Sequence, residues 1–246
     1  MKILLVNDDG IEAKGLRALA SALAPRHEVV VCAPDDQRSC TSHAVTMHKE
    51  LVLREAEGYP CRAFCLSGTP ADCVKFGLLT VAKGADLVVS GINDTTNMGT
   101  DVQYSGTVGA AIEATVSGVK GIAVSVDVVD DDYEYIAAFV RDNLSVLADM
   151  CDVDRVISIN CNSSKREDIK GIKVASVGVR LYDDYYEEVS PSHYLVKGTI
   201  VDVTTDEETD VKLAKQGYLC ITPIKVRLTD IEGMESVERK VGQLCW

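Results

Sequence analysis

With 246 residues, 46% hydrophobic and 26% charged, the chain has the balance of a globular protein able to build one large α/β domain, or a core plus a small appendage. Its formal charge is −13, from 25 Lys and Arg against 38 Asp and Glu; this excludes a nucleic-acid polymer or an anionic membrane surface as main partner, since both demand basic patches. The same excess means that a site for an anionic substrate needs a local positive source, such as a metal ion or a helix N-terminus.

Along the chain, short β-branched runs alternate with helical patterns. Residues 2–6 (KILLV) are a near-continuous apolar run, as expected for a strand buried on both faces. Residues 15–24 put Leu16, Leu19, Ala20 and Leu23 on one helical face, and 27–34 form a second strand ended by Pro34. Residues 51–57 and 61–68 read as an inserted β-pair. Then come a helix over 70–82 opened by Pro70, a strand over 85–91, a helix over 105–118 and a strand over 121–127. A long amphipathic helix over 133–150 and a strand over 155–162 complete the series. Such alternation implies βαβ units with right-handed crossovers, hence the α/β class with a mostly parallel sheet.

Beyond about residue 170 the pattern changes. Residues 171–190 and 193–205 alternate, carry aromatics and flank Ser190-Pro191-Ser192, so they read as a long antiparallel excursion rather than more core. An isolated hairpin is marginal in water; this one is expected to pack on a neighbouring subunit or to cover the site. A short polar helix (206–216), a strand (217–226) and a terminal helix or tail follow. The expected division is a catalytic core over 1–175, a hairpin excursion over 176–214, and a closing strand with tail over 215–246.

The nine cysteines are odd in number, lack any C-x-x-C pair and sit mostly in apolar runs, as buried free thiols in a reducing cytoplasm would. The apolar start is broken by Asp8 and Asp9, too early for a signal peptide, and no later run approaches a membrane span. The expected location is cytoplasmic.

Ligands of an open parallel sheet collect at the carboxyl ends of its strands. After the first strand comes Asn7-Asp8-Asp9-Gly10, after the second Pro34-Asp35-Asp36-Gln37-Arg38-Ser39, and after VVSG come Ile92-Asn93 and then Asp94-Thr95-Thr96-Asn97. Ser105-Gly106-Thr107 opens the next helix. These loops should meet in one crevice. Asp8 and Asp9 repel each other unless a cation sits between or beside them, and oxygen donors from Asp, Asn and Ser suit Mg²⁺, Mn²⁺ or Ca²⁺. Asp-Asp-Gly is equally a plain turn in which one Asp caps the next helix, and Ser105 equally an ordinary N-cap. As a helix start, Ser105 to Thr107 offers free N–H groups and the dipole to an anion. P-loop, dinucleotide G-x-G-x-x-G and G-x-S-x-G elbow motifs are lacking. The four histidines form no ligand spacing, and the acidic runs 130–132 and 206–208 read as solvated charge at helix starts. Tyr182, Tyr185 and Tyr186 could stack on a base or simply pack within the hairpin.

Taken together, NDDG (7–10) with Gly15, the AP…RS segment (33–39), GTPADCV (68–74), SGIN…N (90–97), YSGTVGAAIEA (104–114) and GYLCITPIKVRLT (217–229) resemble the SurE (survival protein E) nucleotidases. The resemblance runs over nearly the whole chain, least clearly around 180–210. It implies a Rossmann-like three-layer core, an intertwined homodimer able to pair into a tetramer through the hairpin and tail, and a metal-dependent phosphomonoesterase acting on nucleoside 5′-monophosphates, and on 3′-monophosphates in some members. It further implies one divalent ion per subunit, Mg²⁺ or Mn²⁺, on Asp8, Asp9, Ser39 and Asn93, with Asn97 and Ser105, Gly106 and Thr107 near the phosphate. Four departures stand out: Lys14 for Pro, Cys40 for the Gly after Ser39, Thr95 for a Gly, and Asn160-Cys161-Asn162 for N-x-P. None removes a ligand.

The chemistry expected is direct hydrolysis, with Asp8 or Asp9 orienting or deprotonating the attacking water and Asn97 and the SGT amides holding phosphoryl oxygens. Residue identity alone does not separate ligand from base. A haloacid-dehalogenase-type phosphatase needs a nucleophilic Asp where this chain has Asn7, and an amide cannot do that job. The alternative from another class is a non-catalytic nucleotide-binding sensor on the same fold.

Overall fold

In the computed structural model, which describes all residues except 202, 204–206, 242 and 244–246, strand β1 (Lys2–Val6) runs through the interior of a nine-stranded sheet. Asp206 and Cys245 therefore lie outside the described residues. Ile3 and Leu5 pack into one core and Leu4 and Val6 into the other, because alternate residues of a strand face opposite ways and both faces are covered. Helix α1 (Lys14–Leu23) buries Leu16, Leu19, Ala20 and Leu23 as their spacing predicts, and packs beside α4 (Glu134–Met150) on the first face. Helices α2 (Pro70–Leu79) and α3 (Gly106–Val116) cover the second. The start of α2 is set by a reciprocal cap: Thr69 Oγ1 accepts from Asp72 N at 3.1 Å, and Thr69 N donates to Asp72 Oδ2 at 2.9 Å, with Pro70 at the first helical position.

The remaining strands are β2 (Glu28–Pro34), β3 (Leu53–Glu55), β4 (Arg62–Leu66), β5 (Leu87–Asn93), β6 (Lys120–Val126), β7 (Arg155–Cys161), β8 (Gly171–Val174) and β11 (Tyr218–Lys225), in the order β3-β4-β2-β1-β5-β6-β7-β11-β8. Six of the eight pairings are parallel; β3 with β4 and β11 with β7 are antiparallel. Two expectations need correcting. The β-pair over 51–68 is not an insertion beside the sheet, since β4 pairs parallel with β2 and extends the main sheet. Nor does the excursion begin at 171, for β8 pairs parallel with β11 as an edge strand of the same sheet.

The excursion proper is the hairpin β9 (Leu181–Ser190) and β10 (His193–Val201), which among the described residues pair only with each other and are exposed along both strands. Helix α5 (Asp210–Lys215) returns the chain to β11, and α6 (Met234–Val241) lies near the end. Among the described residues no helix is long and apolar enough to cross a membrane.

Candidate functional site

Strand order reverses between β1 and β5: the chain goes from β1 to β2 on one side and reaches β5 on the other. In open α/β sheets such a switch point leaves a crevice beyond the strand ends, because the connections diverge to opposite faces. Asp8 and Asp9 follow β1 at that point and Asn93 ends β5. A crevice of about 910 Å³ is lined there by Asp8, Asp9, Ser39, Cys40, Asn93, Asp94, Asn97, Tyr104 and Ser105, and farther out by Asp101, Arg180, Leu181, Tyr182 and Asp184. The three expected loops do converge.

Asp8 is 4% exposed, and its carboxylate is held by Thr107. Thr107 N donates to its Oδ2 at 3.1 Å, and the Thr107 hydroxyl donates to its Oδ1. Gly106 makes this approach possible, since a Cβ there would stand 2.8 Å from Asp8 Cβ and 2.9 Å from Oδ2. Burial pushes the Asp8 carboxyl above its ordinary value, against the bonds from Thr107 that favour the anion. Asp9 is pushed up to about 7, first by burial and then by the charges of Asp8 and Asp94, with a bond from the Asp94 N–H opposing. Thus two neighbouring carboxylates resist ionising together. Among the described residues lining the crevice, Arg180 is the one Lys or Arg, and its guanidinium is engaged with Asp101.

Asn93 donates from Nδ2 to Thr95 O at 2.6 Å and lies 3.3 Å from Thr95 Oγ1, which leaves Oδ1 as its free donor atom for a cation. The carbonyl bond would survive with the usual Gly at 95; only the contact to Oγ1 is added by Thr95. Ser39 lies on the exposed rim, in a loop tied back by Arg38 N donating to Asp8 O at 2.6 Å. Its neighbour Cys40 has φ +58°, a left-handed backbone that costs an ordinary L-residue about 1–2 kcal/mol. A glycine would take that conformation freely, which accounts for the glycine usual at this place. Oxygen donors from Asp8, Asp9, Ser39 and Asn93 fit a hard divalent cation, and the uncompensated carboxylate pair gives it a physical reason to be there. No group of three or more His, Cys, Asp or Glu side chains is arranged for a metal among the described residues, so such a site would lean on the neutral oxygens.

On the anion side, Ser105 caps α3 by accepting from Val108 N at 3.1 Å, which leaves its hydroxyl hydrogen to donate elsewhere. Asn97 donates from its backbone N to Asn160 Oδ1 at 2.8 Å and from Nδ2 to Ser125 Oγ at 2.9 Å; its second amide hydrogen is uncommitted. Asn160 in turn donates to Ser158 Oγ at 3.0 Å. Thr107 spends its N–H and hydroxyl on Asp8, so in this structure it acts on the carboxylate.

Several supporting residues escaped the sequence reading. Ser125 and Asn160 hold Asn97 from β6 and β7; only Asn160 had a signal, its place in the altered N-x-P segment. Glu113 is 2% exposed and accepts from His43 Nε2 at 2.7 Å and Lys75 Nζ at 2.8 Å, tying the Ser39 loop to α2 and α3. Of the three hairpin tyrosines, Tyr182 lines the crevice while Tyr185 and Tyr186 stand exposed on the arm. The acidic run 130–132 divides its work: Asp130 pairs with Lys165, Asp131 with Lys14, and Asp132 accepts from Glu134 N at the start of α4.

Comparison with known proteins adds an independent line. The family described as Survival protein SurE matches residues 3–184. The 5′-nucleotidase SurE of Clostridium beijerinckii is 38% identical over 250 residues, covering 97% of this chain and 98% of its own length. That of Fervidobacterium nodosum is 40% identical over 257 residues, covering 98% of each. The crystal structure of the SurE protein from Aquifex aeolicus superposes with a TM-score of 0.82 at 34% identity, over 96% of this chain and 98% of that one.

Proposed function

The chain belongs to the SurE family, and from that premise we propose that its crevice hydrolyses nucleoside 5′-monophosphates with a divalent ion, Mg²⁺ or Mn²⁺, held by Asp8, Asp9, Ser39 and Asn93. The activity is that of a nucleotidase, a phosphomonoesterase. One observation carries the site assignment: two adjacent carboxylates at the switch point, Asp8 bonded to Thr107 at the start of α3, line one crevice with Ser39, Asn93, Asn97 and Ser105.

When bound there, a divalent ion supplies a lowered water pKa and offsets charge on the transferring phosphoryl group. Asp8, clamped by Thr107, is the fixed ligand. Asp9, less buried and bonded to the Asp94 N–H, keeps its carboxylate toward the crevice and is the better placed to orient the attacking water. The Ser105 hydroxyl, the Gly106 N–H at the first turn of α3 and the second amide hydrogen of Asn97 hold phosphoryl oxygens, supplying the positive local field that the acidic chain otherwise lacks. Thr107 works through Asp8.

The expected cytoplasmic location and homo-oligomeric state belong to the same proposal. The exposed apolar and aromatic residues of β9 and β10 support the second, since an arm of two strands has no core of its own. The test is phosphate release from AMP with Mn²⁺ or Mg²⁺, before and after EDTA. Asp8→Asn and Asp9→Asn should each lower kcat by at least about 10³-fold with the fold intact by circular dichroism. Near wild-type turnover in either purified variant defeats the assignment. Nucleotide binding without metal-dependent phosphate release would favour the sensor instead.

A further inference from the structure

The segment that joins Asn97 to Ser105 contains a short 3-10 helix, Gly99–Gln103, and it is gripped from outside by the root of the hairpin. Arg180 Nη1 donates to Asp101 Oδ2 at 2.7 Å, and the Tyr182 hydroxyl donates to the same oxygen at 2.8 Å. Arg180 N donates to Thr100 Oγ1 at 3.0 Å, while that hydroxyl donates to Arg180 O. The pair is screened little, its side chains being 13% and 19% exposed. At the start of α5, on the returning stalk, fully buried Asp210 accepts from Gly99 N at 3.1 Å and Gly178 N at 2.9 Å, so the same helix is tied to both stalks.

The inner side of this short helix meets the site. Asp101 O accepts from Ser105 N at 3.0 Å. Gln103 O and Tyr104 O accept from Ser42 Oγ at 2.7 Å and Ser42 N at 2.9 Å, three residues after Ser39. The 3-10 helix is thus the joint at which the Ser39 loop, the Asn97 loop and the head of α3 meet. Its own turns cannot hold it, since five residues of 3-10 helix have few and poorly aligned bonds.

We propose that Arg180 is a positioning residue: by holding Asp101 it sets this joint, so the hairpin root is part of the catalytic apparatus although it carries no reacting group. The inference rests on the nucleotidase reading above. It differs from a substrate role for Arg180, which its place on the crevice wall would also permit. A direct contact needs no Asp101, and its loss is felt by substrates long enough to reach it. A positioning clamp needs both partners, and its loss is felt at the phosphate whatever the leaving group.

The test uses the full chain with Arg180→Ala, Arg180→Lys, Asp101→Asn and the double variant Arg180→Ala/Asp101→Asn. Initial rates are measured on AMP and on p-nitrophenyl phosphate with Mn²⁺. Expected are falls in kcat of about tenfold for Arg180→Ala and Asp101→Asn on both substrates, with the double variant no worse than either single one. Arg180→Lys should recover much of the loss, because the observed contact uses one nitrogen and one oxygen. Losses that multiply, or a rise in KM for AMP alone with Asp101→Asn unaffected, overturn the clamp in favour of direct contact. Should the alanine variant fail to fold, Asp101→Asn and Tyr182→Phe, which alter the same contact from its other sides, decide by the same kcat comparison on both substrates. An inactive wild type sinks the nucleotidase reading and this inference with it; an active wild type with unchanged variants sinks the inference alone.

Discussion

Replacing Gly106 by alanine separates activity from stability, and the structure sets both magnitudes. The new Cβ would stand 2.8 Å from Asp8 Cβ, 2.9 Å from its Oδ2 and 3.1 Å from Thr41 Oγ1. Comfortable carbon contacts lie at about 3.5–4.0 Å, so Asp8 or the head of α3 must retreat by roughly 0.7–1 Å. A misplacement of about 1 Å at reacting groups costs on the order of 10²-fold. For the fold, overpacking costs about 1–3 kcal/mol, and removing a glycine from a helix offsets up to about 1 kcal/mol of that. The net of roughly 0–3 kcal/mol lowers Tm by less than about 12 °C in a chain of this size. The assay is AMP hydrolysis with Mn²⁺ beside a thermal melt. Gly106→Ala retaining activity within about threefold of wild type would refute the idea that Asp8 needs this approach to α3.

Two further outcomes follow from the same network. Thr107→Val removes the hydroxyl that donates to Asp8 but keeps the backbone N–H bond, so kcat/KM should fall about 10–100-fold and Thr107→Ser should restore it; an unchanged valine variant argues against Thr107 as the orienting group. Burial alone would raise the Glu113 carboxyl, but bonds and charge from His43 and Lys75 hold it down at about 2 against an ordinary 4.5. A depressed folded pKa stabilises above the unfolded value and loses that contribution as pH falls from about 4.5 toward 2. Allowing for the half-exposed Lys75, Glu113→Gln should cost roughly 2–3 kcal/mol at pH 7, and the gap to wild type in urea melts should close over that acid window. A gap that stays constant from pH 7 to about 2.5 contradicts this.

The alternating half of the chain was legible because its signals are local: the stripe Leu16, Leu19, Ala20, Leu23, the Thr69-Pro70 cap and the apolar runs each settle one element from within a few residues. The antiparallel insertion of β11 between β7 and β8 was not, since its burial pattern fits either neighbour and the choice lies in long-range pairing. The same divide runs through the site. Asp8, Asp9, Asn93, Asn97 and Ser105 stand at strand ends and a helix head, where position implies use. Ser125, Asn160, Asp101, Arg180 and Glu113 act through partners 28 to 79 residues away and look, as sequence, like ordinary polar residues.

The stalks of the excursion meet at a bridge between Ser176 and Thr209, where Asp210 N donates to Ser176 O at 2.8 Å. Distal to that neck the arm is tied to the core again near its root, by Gly178 on Asp210, by Arg180 on Thr100 and by Arg180 and Tyr182 on Asp101, among the contacts of the described residues. Doubling the length of a closed loop adds only about 0.6 kcal/mol of closure entropy, so the arm can lengthen, shorten or change sequence beyond its first few residues without shifting the register of any core strand. The outer part of the arm can thereby be remodelled without disturbing the strands that position Asp8, Asp9 and Asn93.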